Sequence, residues 1–369
     1  MIHQERKNNE IRVGITHGDF NGISYEIIIK TLIDKRIIEF FTPIIYGSSK
    51  IASYYRKTLG MTDINFNLVK KADYANPKRV NIINCYNDEV KIEIGKLSPK
   101  AGELAFLALE KAIEDLNWGR LDVLVTAPIN KKNIQSEQFP YSGHTDYLAN
   151  KFNEQEHLML MVSNSLRIGI ITGHIPLKDV GGKISTDLIL SKIRVMDKSL
   201  RMDFNIRKPK IAVLGLNPHA GDEGIIGTEE QEIIIPAIKQ AESENMLVFG
   251  PLPADGFFAS SNYRHYDGIL AMYHDQGMLP FKTLAFESGI NFTAGLPIVR
   301  TSPAHGTAYD IAGQNIASPD SFREAIYLAL DIYKNRNEYK ELNENPLPVS
   351  EMANGSPPPA KRENQENPQ

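Results

Sequence analysis

Short apolar runs recur along the chain and stop at loops rich in Gly, Pro, His or Asn, with stretches of helical periodicity between them. That alternation predicts an α/β protein. The runs read as strands are Ile11–Ile15, Pro43–Tyr46, Val80–Asn84, Val123–Thr126, Leu166–Thr172, Lys210–Gly215 and Gly268–Met272. Several are apolar at every position, the mark of parallel strands covered on both faces. Helices are predicted over Tyr25–Ile33, Ala101–Asn117, Ser185–Met202, Thr228–Asn245 and Ser321–Lys334. Two of them open on a capping box, Thr228-Glu-Glu-Gln231 and Ser321-Phe-Arg-Glu324, with a hydroxyl at the cap and Gln or Glu three residues on. No internal repeat or heptad pattern occurs. From about Asn343 the chain turns to Pro346, Pro348, Pro357, Pro358 and Pro359 among Asn, Glu and Ser. Such a segment buries too little apolar surface to offset its ordering entropy, so residues 343–369 are expected to be a disordered tail.

Composition excludes several functions. With 41 basic and 45 acidic residues the formal charge is −4, so no global positive field collects nucleic acid or anionic membrane. Any anionic substrate must be met by local basic groups. Apolar runs fall short of the roughly 18 residues that a membrane helix needs. The single cysteine, Cys85, forms neither an internal disulfide nor a thiolate metal site. The first ten residues are too polar for a signal peptide, so reducing cytoplasm is the expected compartment.

Three histidines share a position. His174, His219 and His274 each follow the carboxyl end of a predicted strand, where ligands bind in open α/β sheets. One such histidine more often bonds a neighbouring backbone; three in equivalent places favour a shared metal ion with open coordination positions. His17, after the first strand, is a further candidate ligand. His3, His157 and His265 read as surface residues. In Tyr141-Ser-Gly-His-Thr-Asp146, loop groups lead into a helical stretch over Tyr147–Phe152, so an anion site and a plain N-cap are both open there. Lys282, Asn291 and Arg300 follow His274 in a segment poor in acids, which suits a phosphate or carboxylate. The small-residue loop Pro303–Gly313 could wrap a planar ligand. No Gly-x-Gly-x-x-Gly, nucleophile elbow or Walker motif occurs, so standard dinucleotide, hydrolase and kinase sites lack support.

Several longer motifs resemble the 4-hydroxythreonine-4-phosphate dehydrogenase family of vitamin B6 biosynthesis. They are Thr126-Ala-Pro-Ile-Asn-Lys131, Gly143-His-Thr-Asp146, Thr172-Gly-His174, Leu216-Asn-Pro-His-Ala-Gly221, Gly250-Pro-Leu-Pro-Ala-Asp255, Tyr273-His-Asp-Gln-Gly277 and His305-Gly-Thr-Ala-Tyr-Asp-Ile-Ala-Gly313. The likeness runs from about Ile11 to Tyr333. It implies a fold like isocitrate and isopropylmalate dehydrogenases, with two α/β domains flanking a cleft. Residues 1–128 and 280–342 would form the cofactor side, and residues 129–279 the central metal, substrate and dimerisation domain. It also implies a homodimer with a shared active site, and a divalent metal on His174, His219 and His274, commonly zinc, with magnesium or cobalt as alternatives. Substrate contacts would fall on His144, Thr145, Lys282, Asn291 and Arg300. The NAD, or NADP, loop would include His305, Gly306, Thr307 and Asp310.

The implied reaction is oxidation of 4-phosphohydroxy-L-threonine to a β-keto acid that decarboxylates to 3-amino-2-oxopropyl phosphate. Lys282 and Asp255 are the candidate proton acceptors. A paralogue acting on D-threonate or D-erythronate 4-phosphate shares these residues and is the closest alternative. Where the family reads Gly-Asp-Pro-Ala-Gly-Ile-Gly-Pro-Glu, this chain has Gly18-Asp-Phe-Asn-Gly-Ile-Ser-Tyr-Glu26. Two prolines and a glycine are lost, which predicts a loop of altered stiffness.

Overall fold

The computed structural model describes residues 10–87, 89–164 and 166–345. Twelve strands form one sheet: β1 (Arg12–Thr16), β2 (Thr42–Gly47), β3 (Phe66–Leu68), β4 (Val80–Asn84), β5 (Val123–Thr126), β6 (Leu158–Ser163), β7 (Leu166–Ile170), β8 (Lys210–Leu214), β9 (Leu247–Leu252), β10 (Gly268–Ala271), β11 (Ile290–Ala294) and β12 (Arg300–Pro303). The helices are α1 (Ser24–Leu32), α2 (Ser49–Thr58), α3 (Pro99–Asn117), α4 (His144–Lys151), α5 (Val180–Lys183), α6 (Thr186–Met202), α7 (Ile235–Ser243), α8 (Ala254–Ala259), α9 (His274–Ala285) and α10 (Asp320–Glu344). All seven predicted strands and all five predicted helices are present, displaced at their ends by a few residues, apart from the start of α7 and the end of α10.

The strand order is β3-β4-β2-β1-β5-β12-β11-β6-β7-β10-β8-β9. Two parallel wings, β3 to β12 and β7 to β9, flank a centre where β11 runs antiparallel to β12 and β6, and β6 antiparallel to β7. The wings therefore point in opposite directions. Successive strand residues alternate between two cores, as the pleat requires: Val123 and Val125 pack with α1 and α10, whereas Leu124 packs with α3. On the α3 side the core is in two pieces, one under α3 and α4 and one under α9. A cavity lies between the pieces.

Several expectations are corrected. Ser321 is not a cap: it sits inside α10, and its hydroxyl donates to the Gly289 carbonyl at 2.6 Å while accepting the Ala304 amide. Thr228 makes no side-chain cap either; a π turn over Glu230–Ile234 precedes α7. That turn carries Glu230, 2% exposed, whose carboxylate accepts the Leu216 and Asn217 amides at 2.7 Å each. α10 runs ten residues past Lys334, through a polar stretch with no apolar periodicity. Tertiary bonds hold it there, chiefly Arg336 to the buried Asp203 at 2.6 Å and to the Leu296 carbonyl. Residues 343 and 344 of the expected tail are thus helical, and residues 346–369, like His3, lie outside the described residues. The domain boundary drawn at 279/280 falls within α9.

The altered loop after β1 is held by packing and hydrogen bonds where the prolines are lost. Phe20 and Tyr25, at the two lost prolines, are fully buried, and Tyr25 stacks on His17 and Tyr55. Asn21 accepts the Glu93 amide on its side chain and the Gly95 amide on its carbonyl. Gly18 sits at φ +63° with the Pro128 carbonyl 2.3 Å from where a Cβ would be, so only glycine fits.

His17 is not a metal candidate. Its ring is enclosed by Phe20, Tyr25 and Tyr86, on the wing opposite to that of the other three histidines. Burial lowers its pKa from 6.5 to about 4. The unfolded chain therefore binds this proton more tightly, so the stability contributed is full above pH 6.5 and is lost as pH falls toward 4. Between pH 7 and pH 4.5, urea unfolding should lose about 2–3 kcal/mol more in the parent than in His17→Phe. Equal losses would exclude a buried neutral imidazole here.

Candidate active site

The cavity between the two core pieces has a volume of about 540 Å³. Its floor is the antiparallel centre of the sheet, where Asn291 of β11 pairs with Ser302 of β12 and Met161 of β6. One wall is α9, which presents His274, Met278 and Lys282 at four-residue spacing and hence on one face. The first turn of α4, with His144, Thr145 and Asp146, supplies the other. Loops after β5, β7 and β12 close the ends.

Arg300 opens β12, a strand enclosed by β5 and β11, and is 3% exposed. Its guanidinium donates to Thr126 Oγ1 at 2.6 and 3.1 Å and to His144 Nδ1 at 3.0 Å. Among the described residues it has no carboxylate partner. Burial lowers its pKa to about 9, which still leaves it charged at neutral pH. His144 is held well below its ordinary value by burial first, then by Arg300 and Lys131. It is neutral at pH 7, and since Nδ1 accepts from Arg300, its proton sits on Nε2 as a donor. Asn291 Oδ1 is buried without a partner. Thr145 Oγ1 lies 3.4 Å from Thr293 Oγ1. The predicted substrate group therefore converges on one unneutralised cationic pocket.

His174 and His274 come together, their ring centroids 5.3 Å apart. His274 Nδ1 is engaged by Asp275 Oδ1 at 2.7 Å, and His174 Nε2 lies 3.4 Å from Lys131 Nζ. His174 is lowered by burial, then by Lys131 and His274. His219 does not join them. Left-handed residues from His219 to Glu223 turn its loop aside, and the imidazole is exposed. No group of three or more metal-binding side chains forms within one chain among the described residues. Asp255, exposed in the first turn of α8, is also outside the cavity, and α8 packs on the loop of His219.

The loop after β12 divides between two tasks. His305 and Gly306 face the cavity, and His305 Nε2 is buried without a partner. Thr307 instead anchors the loop: its carbonyl accepts the Ile23 amide at 3.0 Å, and a Cβ on Gly22 would lie 2.5 Å from that oxygen. Tyr309 donates to Asp19 Oδ2 at 2.6 Å, and Asp310 is exposed. Sequence reasoning missed Lys131, His157 and Lys192, which also line the cavity. His157, expected at the surface, is half-buried directly before β6, its pKa lowered by burial first.

The family model described as pyridoxal phosphate biosynthetic protein PdxA matches residues 39–329. The 4-hydroxythreonine-4-phosphate dehydrogenase of Bacteroides thetaiotaomicron is 53% identical over 342 residues, 92% of this chain and 94% of that one. A relative from Oceanobacillus iheyensis, named provisionally for D-threonate 4-phosphate dehydrogenase activity, is 39% identical over 324 residues, 87% of this chain and 97% of that one. The crystal structure of 4-hydroxythreonine-4-phosphate dehydrogenase from Klebsiella pneumoniae matches with a TM-score of 0.76 at 32% identity, covering 89% of this chain and 99% of that one. The chain belongs to the PdxA family of pyridoxal phosphate biosynthetic proteins.

Proposed function

We propose that this chain is a nicotinamide-dependent dehydrogenase that oxidises the C3 alcohol of 4-phosphohydroxy-L-threonine, in pyridoxal phosphate biosynthesis. The β-keto acid formed then loses carbon dioxide to leave 3-amino-2-oxopropyl phosphate. The observation that carries this reading is Arg300, a buried guanidinium with no carboxylate among the described residues, in the wall of a cavity that also holds Lys282 and His144. A fixed cation left unneutralised is a receptor for phosphate or carboxylate. Lys282 on the α9 wall would take the substrate's second anionic group, Asn291 and the Nε2–H of His144 its remaining oxygens. Held this way, the C3 hydrogen can be aimed at the nicotinamide that accepts it as hydride. Charged, Lys282 holds an anion; as the free amine, its own proton lost to solvent, it is the candidate base lining the cavity for the alcohol proton.

The metal residues fit in part. The Asp275 carboxylate on His274 Nδ1 leaves Nε2 to face a ligand, the orientation that metal-bound histidines commonly show. His174 and His274 would hold the ion and His219 of a second copy would complete it, with Asp255 arriving on α8, which packs on the His219 loop. A bound divalent ion, zinc or alternatively magnesium or cobalt, supplies Lewis-acid polarisation of the alcohol and ketone oxygen. The homodimer reading is supported by exposed apolar side chains near these elements: Ile225 is 80%, Leu279 67% and Phe286 75% exposed. His305 and Gly306 would meet NAD or NADP. In this reading residues 1–128 with the chain after α9 form the cofactor side of the cleft, and residues 129–285, with α9 kept whole, the metal and dimer side.

Among the described residues no helix is long and apolar enough to cross a membrane. The test is a panel of substrates with NAD. Reduction with release of one carbon dioxide per NADH is expected for the amino acid phosphate. Turnover of D-threonate or D-erythronate 4-phosphate alone would assign the paralogue, and turnover of none would overturn the reading.

A further inference from the structure

The loop that carries His219 leaves β8 at Gly215 and returns at Glu229, just before the π turn. It has no core of its own, since from Pro218 to Thr228 only Gly221 is buried. Its backbone is nevertheless left-handed at five successive residues, His219 to Glu223, four of which carry a Cβ. Such residues disfavour left-handed backbone, which persists only where the surroundings impose it. Glu230 imposes it here. Its Oε1 accepts the Leu216 and Asn217 amides at 2.7 Å each, and its Oε2 accepts Asn217 Nδ2 at 3.0 Å. The same Nδ2 donates to Glu229 Oε2 at 2.8 Å. These bonds tie the outgoing end of the loop to the returning one. Between the two ends the chain passes directly over the carboxylate: a Cβ on Gly221, at φ +82°, would lie 2.6 Å from Glu230 Oε2.

The strand end itself is fixed from the other side, where Gln276 Nε2 donates to the Gly215 carbonyl at 2.6 Å. The aim of His219 is therefore set in the loop beyond that point. His219 is exposed, so its place follows from its backbone rather than from packing of its ring. Glu230 is 2% exposed, and burying a carboxylate is costly unless its oxygens are hydrogen-bonded. An apolar side chain would fill the same space at lower cost, but it could not gather three N–H donors at the base of the loop. We propose that Glu230 is a positioning residue that aims His219 at the metal ion, acting through the loop it closes. This rests on the reading above, in which His219 completes the site of a second copy.

The experiment measures the zinc dissociation constant of the full chain by competition with a chelator, beside the thermal shift given by inorganic phosphate. Glu230→Ala should weaken zinc binding about 10- to 100-fold, as loss of an outer partner of a metal ligand commonly does, with turnover recovered at saturating zinc. The phosphate shift, which reports Arg300, should stay parental. Glu230→Gln keeps one oxygen for the two backbone amides and should hold zinc within a few-fold of the parent. If Glu230→Ala does not fold, Asn217→Ala decides: it removes only the Nδ2 link and should weaken zinc binding several-fold. Unchanged zinc binding while His219→Ala loses it, or a phosphate shift lost together with the zinc, would overturn the role of Glu230 and leave the His219 reading intact. Parental zinc affinity in His219→Ala would overturn that reading itself.

Discussion

Replacing Arg300 with Met is expected to lower kcat/KM about 10³-fold while leaving the melting temperature unchanged or raised. The two halves of this result have one cause. Arg300 is 3% exposed, its hydrogen bonds go to a hydroxyl and a neutral imidazole, and burial lowers its pKa to about 9. A depressed value means that the native state holds this proton less tightly than the unfolded chain. The desolvation cost is therefore in full force at neutral pH and eases only as pH rises from about 9 toward 12.5. An apolar side chain of similar length removes that cost, which offsets the lost bonds to Thr126 and His144. What cannot be replaced is the charge that meets the substrate's anion. Inorganic phosphate makes the argument visible without turnover. At 100 times its dissociation constant it should stabilise the parent by about 2.7 kcal/mol, a shift of several degrees, and Arg300→Met hardly at all. An equal shift in both proteins would remove Arg300 from the anion site.

His274→Ala should abolish stoichiometric metal binding and reduce turnover by about 10³-fold or more, because Lewis-acid polarisation of the reacting oxygen contributes several kcal/mol to such reactions. His174 and His274 are adjacent, so removing either leaves a single donor in the chain. Asp275→Asn should act through His274 rather than on the substrate. A weakened hold on the imidazole would lower metal affinity 10- to 100-fold, as outer partners of metal ligands commonly do, with activity recovered at high metal concentration. Metal analysis beside the kinetics checks both. Full metal content with lost activity in His274→Ala would contradict the assignment.

Much of this site was legible in the sequence because chemistry sat where simple rules look for it. His174 and His274 follow neighbouring parallel strands, β7 and β10, and the strand-end rule brought them together. Within one chain the rule does not bring His219 to them, although β8 also adjoins β10, because the left-handed run from His219 to Glu223 redirects the loop and no periodicity reports such a turn. His17 failed for a different reason: β1 belongs to the wing that runs the other way, and sequence alone does not tell wing from wing. Lys282 and Arg300 were found by charge, but α9 itself was not. Gly277 and Pro280 disguise its periodicity, and its buried face is continuous all the same. Lys192 and His157 were missed because they reach the cavity from a polar helix face and from the start of the unread strand β6. The lost prolines of the Gly18–Glu26 loop predicted altered stiffness. The burial of Phe20 and Tyr25 shows how aromatic packing replaces a covalent restraint.

The central claim is that His174 and His274 of one copy are completed by His219 of another, and mixing two inactive variants tests it most directly. His219→Ala and His274→Ala should each be inactive alone. If the site is shared, dimers reformed from an equal mixture will be half hybrid, and each hybrid will carry one site with all three histidines intact. About a quarter of parental activity and metal content should then return. No recovery from the mixture, with hybrid dimers verified, would contradict the shared site and with it this account of how the fold builds its catalytic centre.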